Sequence, residues 1–156
     1  LGELGTPGNL SGFGGIALRA FPFEHMEAMD GFRFVVDGAV PDGLTRVLSL
    51  VSLGMTFKAV MASVDMILTK PGYGTIVEAV ALGIPVVYVR RYNFPDEPPL
   101  VDHLHRYGRG AELSLADFLQ GRWNAAIEQA FARPLSSTPP PLSGAQDAAH
   151  ILKDYV

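Results

Sequence analysis

The sequence has no cysteine, so disulfide frameworks, thiolate nucleophiles and cysteine-type zinc sites are all excluded. Charge is also scarce, at 18% of residues against 48% apolar ones, a balance that rules out a disordered chain and requires a packed core. Twelve basic residues face sixteen acidic ones for a net charge of -4, and no basic cluster exceeds a pair, which argues against a nucleic-acid face. Any anionic ligand must be caught locally. The longest apolar run, 84–89, is far short of the ~20 residues of a membrane span, and no charged-then-apolar signal segment opens the chain. A cytoplasmic protein without an integral membrane segment is expected. Its 156 residues suit one domain able to bury about 70% of its unfolded surface.

What the sequence does have is an alternation of strand and helix signals. Glycines 2, 5, 8, 12, 14 and 15 with Pro7 make the first fifteen residues read as loop, and Gly8-Asn9-Leu10-Ser11-Gly12 is a poor strand. A short amphipathic stretch over 24–29 precedes a strand at 32–36, ended by Asp37-Gly38, and a second strand is expected over 46–50 after the turn Pro41-Asp42-Gly43. Phe57, Val60, Met61 and Val64 have helical spacing and lead into the apolar strand Met66-Ile67-Leu68. A helix over 75–82, stopped by Gly83, then precedes a strand at 85–89 apolar enough to be buried on both faces. The pattern repeats with a helix over 99–107, a short strand over 111–113 and further helical sequence to about Arg133. Four of the twelve prolines fall between Pro134 and Pro141, marking an extended linker over 134–143 before a final helix, 144–155, whose Ala148, Ile151 and Leu152 could dock on something. Single helices between strands imply right-handed crossovers, and hence a Rossmann-like, three-layer α/β domain with a mainly parallel sheet.

In such a sheet ligands bind beyond the carboxyl ends of the strands, which singles out Thr69-Lys70-Pro71-Gly72-Tyr73-Gly74-Thr75-Ile76-Val77-Glu78. Gly72 and Gly74 let backbone approach a ligand, and the free amides of Thr75, Ile76 and Val77 with the helix dipole would receive a phosphate or diphosphate. The turn is no Walker loop, because its lysine precedes the glycines, and Val77 stands where a dinucleotide fingerprint has its third glycine. Thr75 and Glu78 are also spaced as a capping box, so Glu78 can be read as a cap, as a ligand contact at the helix tip, or as both. Arg90 and Arg91 end a strand, and at least one should face the same crevice, where a guanidinium suits phosphate or a sugar carboxylate. His103 and His105 diverge on a helix and do not form a metal pair, and Asp102 and Arg106 read as an i,i+4 surface pair. Trp123, Phe118, Leu119, Ile127 and Phe131 read as core or a domain contact.

The stretch 65–79 with Gly83-Ile84-Pro85-Val86-Val87-Tyr88-Val89 resembles the donor-binding signature of glycosyltransferases built from two Rossmann-like domains, the GT-B architecture. It is similar to the C-terminal half of the family, glycosyltransferase family 28, that includes the peptidoglycan N-acetylglucosaminyltransferase and the monogalactosyldiacylglycerol synthases. Val89-Arg90-Arg91-Tyr92-Asn93-Phe94-Pro95-Asp96-Glu97-Pro98, Gly121-Arg122-Trp123 and Ala148-Ala149-His150-Ile151-Leu152 extend the likeness to the glycosyltransferase-like portion of plant L-arabinokinases, from about Phe32 to the C-terminus.

The resemblance implies that Gly72, Tyr73, Gly74 and Thr75 hold the pyrophosphate of a nucleotide sugar, expected to be UDP-linked, and that Glu78 binds the ribose hydroxyls. It places Asp96 and Glu97 where an acidic residue and a glutamine hold the donor sugar, although a carboxylate at 97 can only accept hydrogen bonds. Leu100 stands where many relatives have asparagine. Phe13-Gly14-Gly15 matches a second phosphate-binding turn, assigning Gly14 and Gly15 to the donor as well. No metal and no cofactor besides the nucleotide-sugar substrate is implied. The acceptor site and catalytic base are expected on an N-terminal half, in the same chain or a partner subunit. A non-catalytic sugar-nucleotide-sensing or scaffolding domain is the alternative.

Overall fold

The computed structural model describes residues 8–12 (backbone only), 21–92, 94–141 and 143–153. Six strands form one wholly parallel sheet: β1 (Gly8–Gly12), β2 (Arg33–Val36), β3 (Val47–Ser49), β4 (Met66–Thr69), β5 (Val86–Tyr88) and β6 (Gly110–Glu112), in the spatial order β3-β2-β1-β4-β5-β6. The expected α/β class and parallel sheet are therefore observed. The helices are α1 (Phe23–Ala28), α2 (Phe57–Met61), α3 (Tyr73–Leu82), α4 (Glu97–Tyr107), α5 (Leu115–Leu119), α6 (Asn124–Ala132) and α7 (Gly144–Lys153). None is long and apolar enough to cross a membrane, among the described residues.

Alternation along the buried strands divides the core in two. In β4, Met66 and Leu68 face a cluster with Val87, Phe118, Trp123 and Ile127, whereas Ile67 faces Met61, Ile76, Val80, Val86 and Leu104. Helices α1, α5 and α6 thus cover one face, and α2, α3 and α4 the other. Spacing explains the second layer: α3 buries Ile76, Ala79 and Val80, and α4 buries Leu100, Val101 and Leu104, each a stripe at intervals of three and four. Gly83, at φ 69°, ends α3, and the Ile84 amide returns to the Ala79 carbonyl at 2.9 Å.

Two expectations need correction, and one crossover departs from the general pattern. Gly8–Gly12 is a strand, and it occupies the middle of the sheet, where β2 pairs with it on one side and β4 on the other. Ladder pairing on both edges outweighs the weak propensity of a glycine-flanked segment. The turn at 41–43 joins parallel strands without any helix; this crossover is pinned by Glu27, whose carboxylate accepts from the Thr45 and Arg46 amides, both at 2.9 Å. The helical sequence to Arg133 is broken into α5 and α6 at Gly121, which has φ 66°. Trp123, Phe118 and Ile127 are core as expected, but Leu119 and Phe131 remain 48% and 40% exposed.

Candidate functional site

The chain leaves β1 in one direction across the sheet toward β2 and returns to its other side as β4, so the strand order reverses between β1 and β4. Crevices at such reversals, beyond the carboxyl ends of the strands, are where open α/β sheets take ligands. The β4 end opens into Lys70-Pro71-Gly72, and α3 begins at Tyr73, two residues before the expected start. Gly72 is its N-cap, extended at φ -130° and ψ 142°, and no side chain caps the helix. The Ile76 amide makes the first intrahelical bond, to the Gly72 carbonyl at 2.9 Å. The donors left without helical partners are therefore those of Tyr73, Gly74 and Thr75, rather than Thr75, Ile76 and Val77.

The early start also removes the capping box, because Thr75 lies inside the helix and Glu78 a turn beyond its tip. Glu78 is 40% exposed at its side chain, with Oε1 3.7 Å from the Lys58 Nζ of α2, so it stands on the flank of α3 rather than at a buried tip. Among the described residues, nothing lies within 4 Å of where a Cβ at Gly74 would stand. Tyr73 is 72% exposed beside it. Lys70 was given no role by sequence reasoning, yet it belongs to this place. Its Nζ lies 3.9 Å from where a Gly72 Cβ would be, and burial, then the nearby Arg91 charge, lower its pKa against the opposing pull of Asp96. The available signal was its position between a buried strand and a glycine turn.

The next loop, between β5 and α4, is organised around Glu97. This carboxylate is 0% exposed and engaged by its own loop, at the position where the resemblance implies a contact with a donor sugar. Its Oε1 accepts from Arg90 Nε at 3.0 Å and the Tyr92 amide at 3.4 Å, and its Oε2 from the Arg91 amide at 2.9 Å and Arg91 Nε at 3.3 Å. Burial alone would raise the Glu97 pKa, but these hydrogen bonds prevail and the net shift is downward. Arg91 does reach toward the crevice, though as a brace: only 8% exposed, it donates through Nη2 to the Pro71 carbonyl and lies 3.7 Å from the Phe94 ring centroid. Arg90 sits over the Tyr92 ring at 4.9 Å. Tyr92 has φ 59°, unusual for a residue with a Cβ, and donates its hydroxyl to Glu112 at 2.9 Å.

Asp96 remains exposed at the start of α4 and lines a groove of about 480 Å³ with Tyr73, Val77, Leu100 and His103. Leu100 is 4% exposed. The structure thus brings together Lys70, Gly72, Tyr73, Gly74, Thr75, Arg91 and Asp96, with Glu78 on the helix flank. Gly14 and Gly15 lie outside the described residues. Asp102 and Arg106 form no ion pair; Arg106 instead lies 6.0 Å from the Tyr107 ring centroid.

No family model matches the chain. An L-arabinokinase of Arabidopsis thaliana is 38% identical over 96 residues, a match covering 61% of this chain and 9% of that protein. The glycotransferase of kitacinnamycin superposes with a TM-score of 0.63 at 20% identity, over 83% of this chain and 36% of that structure. The spinosyn rhamnosyltransferase SpnG complexed with thymidine diphosphate does so with a TM-score of 0.54 at 18% identity, over 97% of this chain and 41% of its own. The chain therefore spans well under half of each of these proteins. Sheet order, superposition and sequence identity together give it the fold of a C-terminal, GT-B glycosyltransferase-like half.

Proposed function

We propose that this chain is the donor-binding half of a glycosyltransferase, receiving the diphosphate of a nucleotide sugar at the 72–75 turn. The observation that carries the reading is the uncapped start of α3 at the point where strand order reverses. Among the described residues, three amides there lack a helical partner and stand at the positive end of the helix dipole. Lys70 adds a cation beside the turn, and Glu78, exposed on the flank of the same helix, would accept from ribose hydroxyls. Thymidine diphosphate in the SpnG structure supports a nucleotide diphosphate as the ligand class. Transfer needs a second wall to the cleft, so the acceptor site and base belong to an N-terminal half, in the same polypeptide or a partner.

Calorimetry with uridine diphosphate, thymidine diphosphate, their sugar conjugates and pyrophosphate tests the reading, alongside product analysis for transfer or donor hydrolysis. Binding without multiple turnover is the expected result. Absence of binding by every nucleotide would refute the donor role, and efficient turnover by this chain alone would refute the need for a second half. A sensing or scaffolding role is favoured by one observation: Glu97 and Leu100 are both buried, leaving Asp96 as the exposed acid of the sugar-facing segment. Binding to this chain, combined with no transfer by the complete protein, would select it.

A further inference from the structure

The hydrogen bonds of Glu97 account for the identity of the residue. Two backbone amides and two guanidinium Nε groups converge on its oxygens, and all four are donors. A glutamine would set its own amide nitrogen against at least one of them, whereas a carboxylate accepts from all. The contacts continue beyond the loop. Arg91, held by Glu97 at one edge and stacked on Phe94, passes its Nη2 donor to the carbonyl of Pro71. Pro71 immediately precedes Gly72, whose carbonyl accepts the first hydrogen bond of α3. One unbroken series of side-chain contacts therefore links the loop after β5 to the glycine turn after β4, across two neighbouring strands. Tyr92 keeps its left-handed backbone within the same series, its amide turned toward Glu97.

We infer that Glu97 and Arg91 are positioning residues that hold the 72–75 turn in its anion-receiving shape, and that Glu97 itself touches no part of the donor. The inference rests on the nucleotide-sugar reading for its ligand, but not for its mechanical content. A brace of this kind acts on the turn before any ligand arrives, and it acts equally on every ligand that uses the turn. A sugar contact would act on the sugar alone.

The test measures wild type, Glu97→Gln and Arg91→Lys by two methods. Amide hydrogen exchange of the ligand-free chain reads the order of the turn through Ile76, with β4 and β5 as internal references. Calorimetry reads affinity for pyrophosphate and uridine diphosphate. Both variants should accelerate exchange at Ile76 at least tenfold while Met66–Thr69 and Val86–Tyr88 keep their protection. Affinity for the two ligands should fall by the same factor, at least fivefold. Unchanged exchange at Ile76 would overturn the inference, as would acceleration spread evenly over the sheet. Selective loss of sugar-nucleotide affinity, with pyrophosphate binding intact, would also overturn it and return Glu97 to the sugar. If wild type binds neither ligand, the donor reading fails, while the exchange experiment still decides whether the brace orders the turn.

Discussion

Two helices start at neighbouring strand ends, and they start in opposite ways. Helix α3 begins on Gly72 with no side-chain cap, so the amides of Tyr73, Gly74 and Thr75 are offered outward. At α4 the Glu97 amide already bonds the Phe94 carbonyl at 3.1 Å, and the next two positions are Pro98 and Pro99, which have no N–H to offer. Its Glu97 side chain is turned inward and fully engaged. Elsewhere, Thr56 caps α2 and Ser114 caps α5, with oxygens accepting from the Ala59 and Asp117 amides at 3.2 Å and 3.0 Å. Helices α1 and α6 also lack a side-chain cap, so what sets α3 apart is an uncapped start on a glycine turn at the carboxyl end of a central strand. Equal dipoles do not make equal sites; the chemistry of the first turn decides which one can receive an anion.

The comparison can be broken most forcefully at the closed helix. Glu97→Ala would leave Arg90, Arg91 and two loop amides without their acceptor, and we expect a stability loss of about 3 to 5 kcal/mol in denaturant unfolding. A loss below ~1 kcal/mol would show that solvent replaces the carboxylate. At the open helix the order of effects reverses. Gly74→Val should cost more than about 2 kcal/mol in pyrophosphate and nucleotide affinity by obstructing the approach to the amides, while its effect on folding stays within ~1 kcal/mol, since the added side chain has open space. Unimpaired binding would move the anion elsewhere.

Finer tests separate neighbours within the open site. Glu78→Gln should weaken nucleotide binding by about 1 to 3 kcal/mol and leave pyrophosphate binding unchanged, if the carboxylate accepts from ribose. Its stability should change by less than ~1 kcal/mol, because the Lys58 pair is exposed and 3.7 Å apart. Equal, near-wild-type affinity for both ligands would remove the ribose role.

The smallest effect is the pH dependence of the closed helix. The folded pKa of Glu97 lies below its ordinary 4.5, so its contribution is present above pH 4.5 and is lost as pH falls through the folded value. Stability curves of wild type and Glu97→Gln, measured from pH 6 downward, should begin to approach one another at about pH 4.5 and meet below the folded pKa. A constant offset throughout would mean that ionisation of Glu97 has no part in the lock.

The sequence made the scaffold legible where hydrophobic spacing and strand ends coincide. Met66, Ile67 and Leu68 followed by Gly72 and Gly74, and Ile76, Ala79 and Val80 before Gly83, mark β4, the turn and α3 without any knowledge of the sheet. The start of α3 was misplaced because Thr75 and Glu78 satisfy a capping pattern that the backbone did not need, Gly72 having already entered the cap position. β1 was hidden because its strand character comes from partners on both sides rather than from its own residues. Glu97 was read as a donor-sugar contact because the resemblance sets it where relatives carry a glutamine. The folded chain brings four donors from residues 90 to 92 onto one buried carboxylate five to seven residues further along.

Pro98 and Pro99 have a consequence that begins before the chain folds. Their rings fix φ in the unfolded ensemble near the value that the first turn of α4 uses. The segment carrying Glu97 therefore explores fewer states when unfolded and surrenders less backbone entropy on entering α4. Replacing both prolines by alanine would restore amides to that first turn, but it would also enlarge the unfolded ensemble from which the buried carboxylate must be recovered. The diproline thus favours the closed helix twice, once by withholding donors in the folded protein and once by narrowing the conformational search that leads to it.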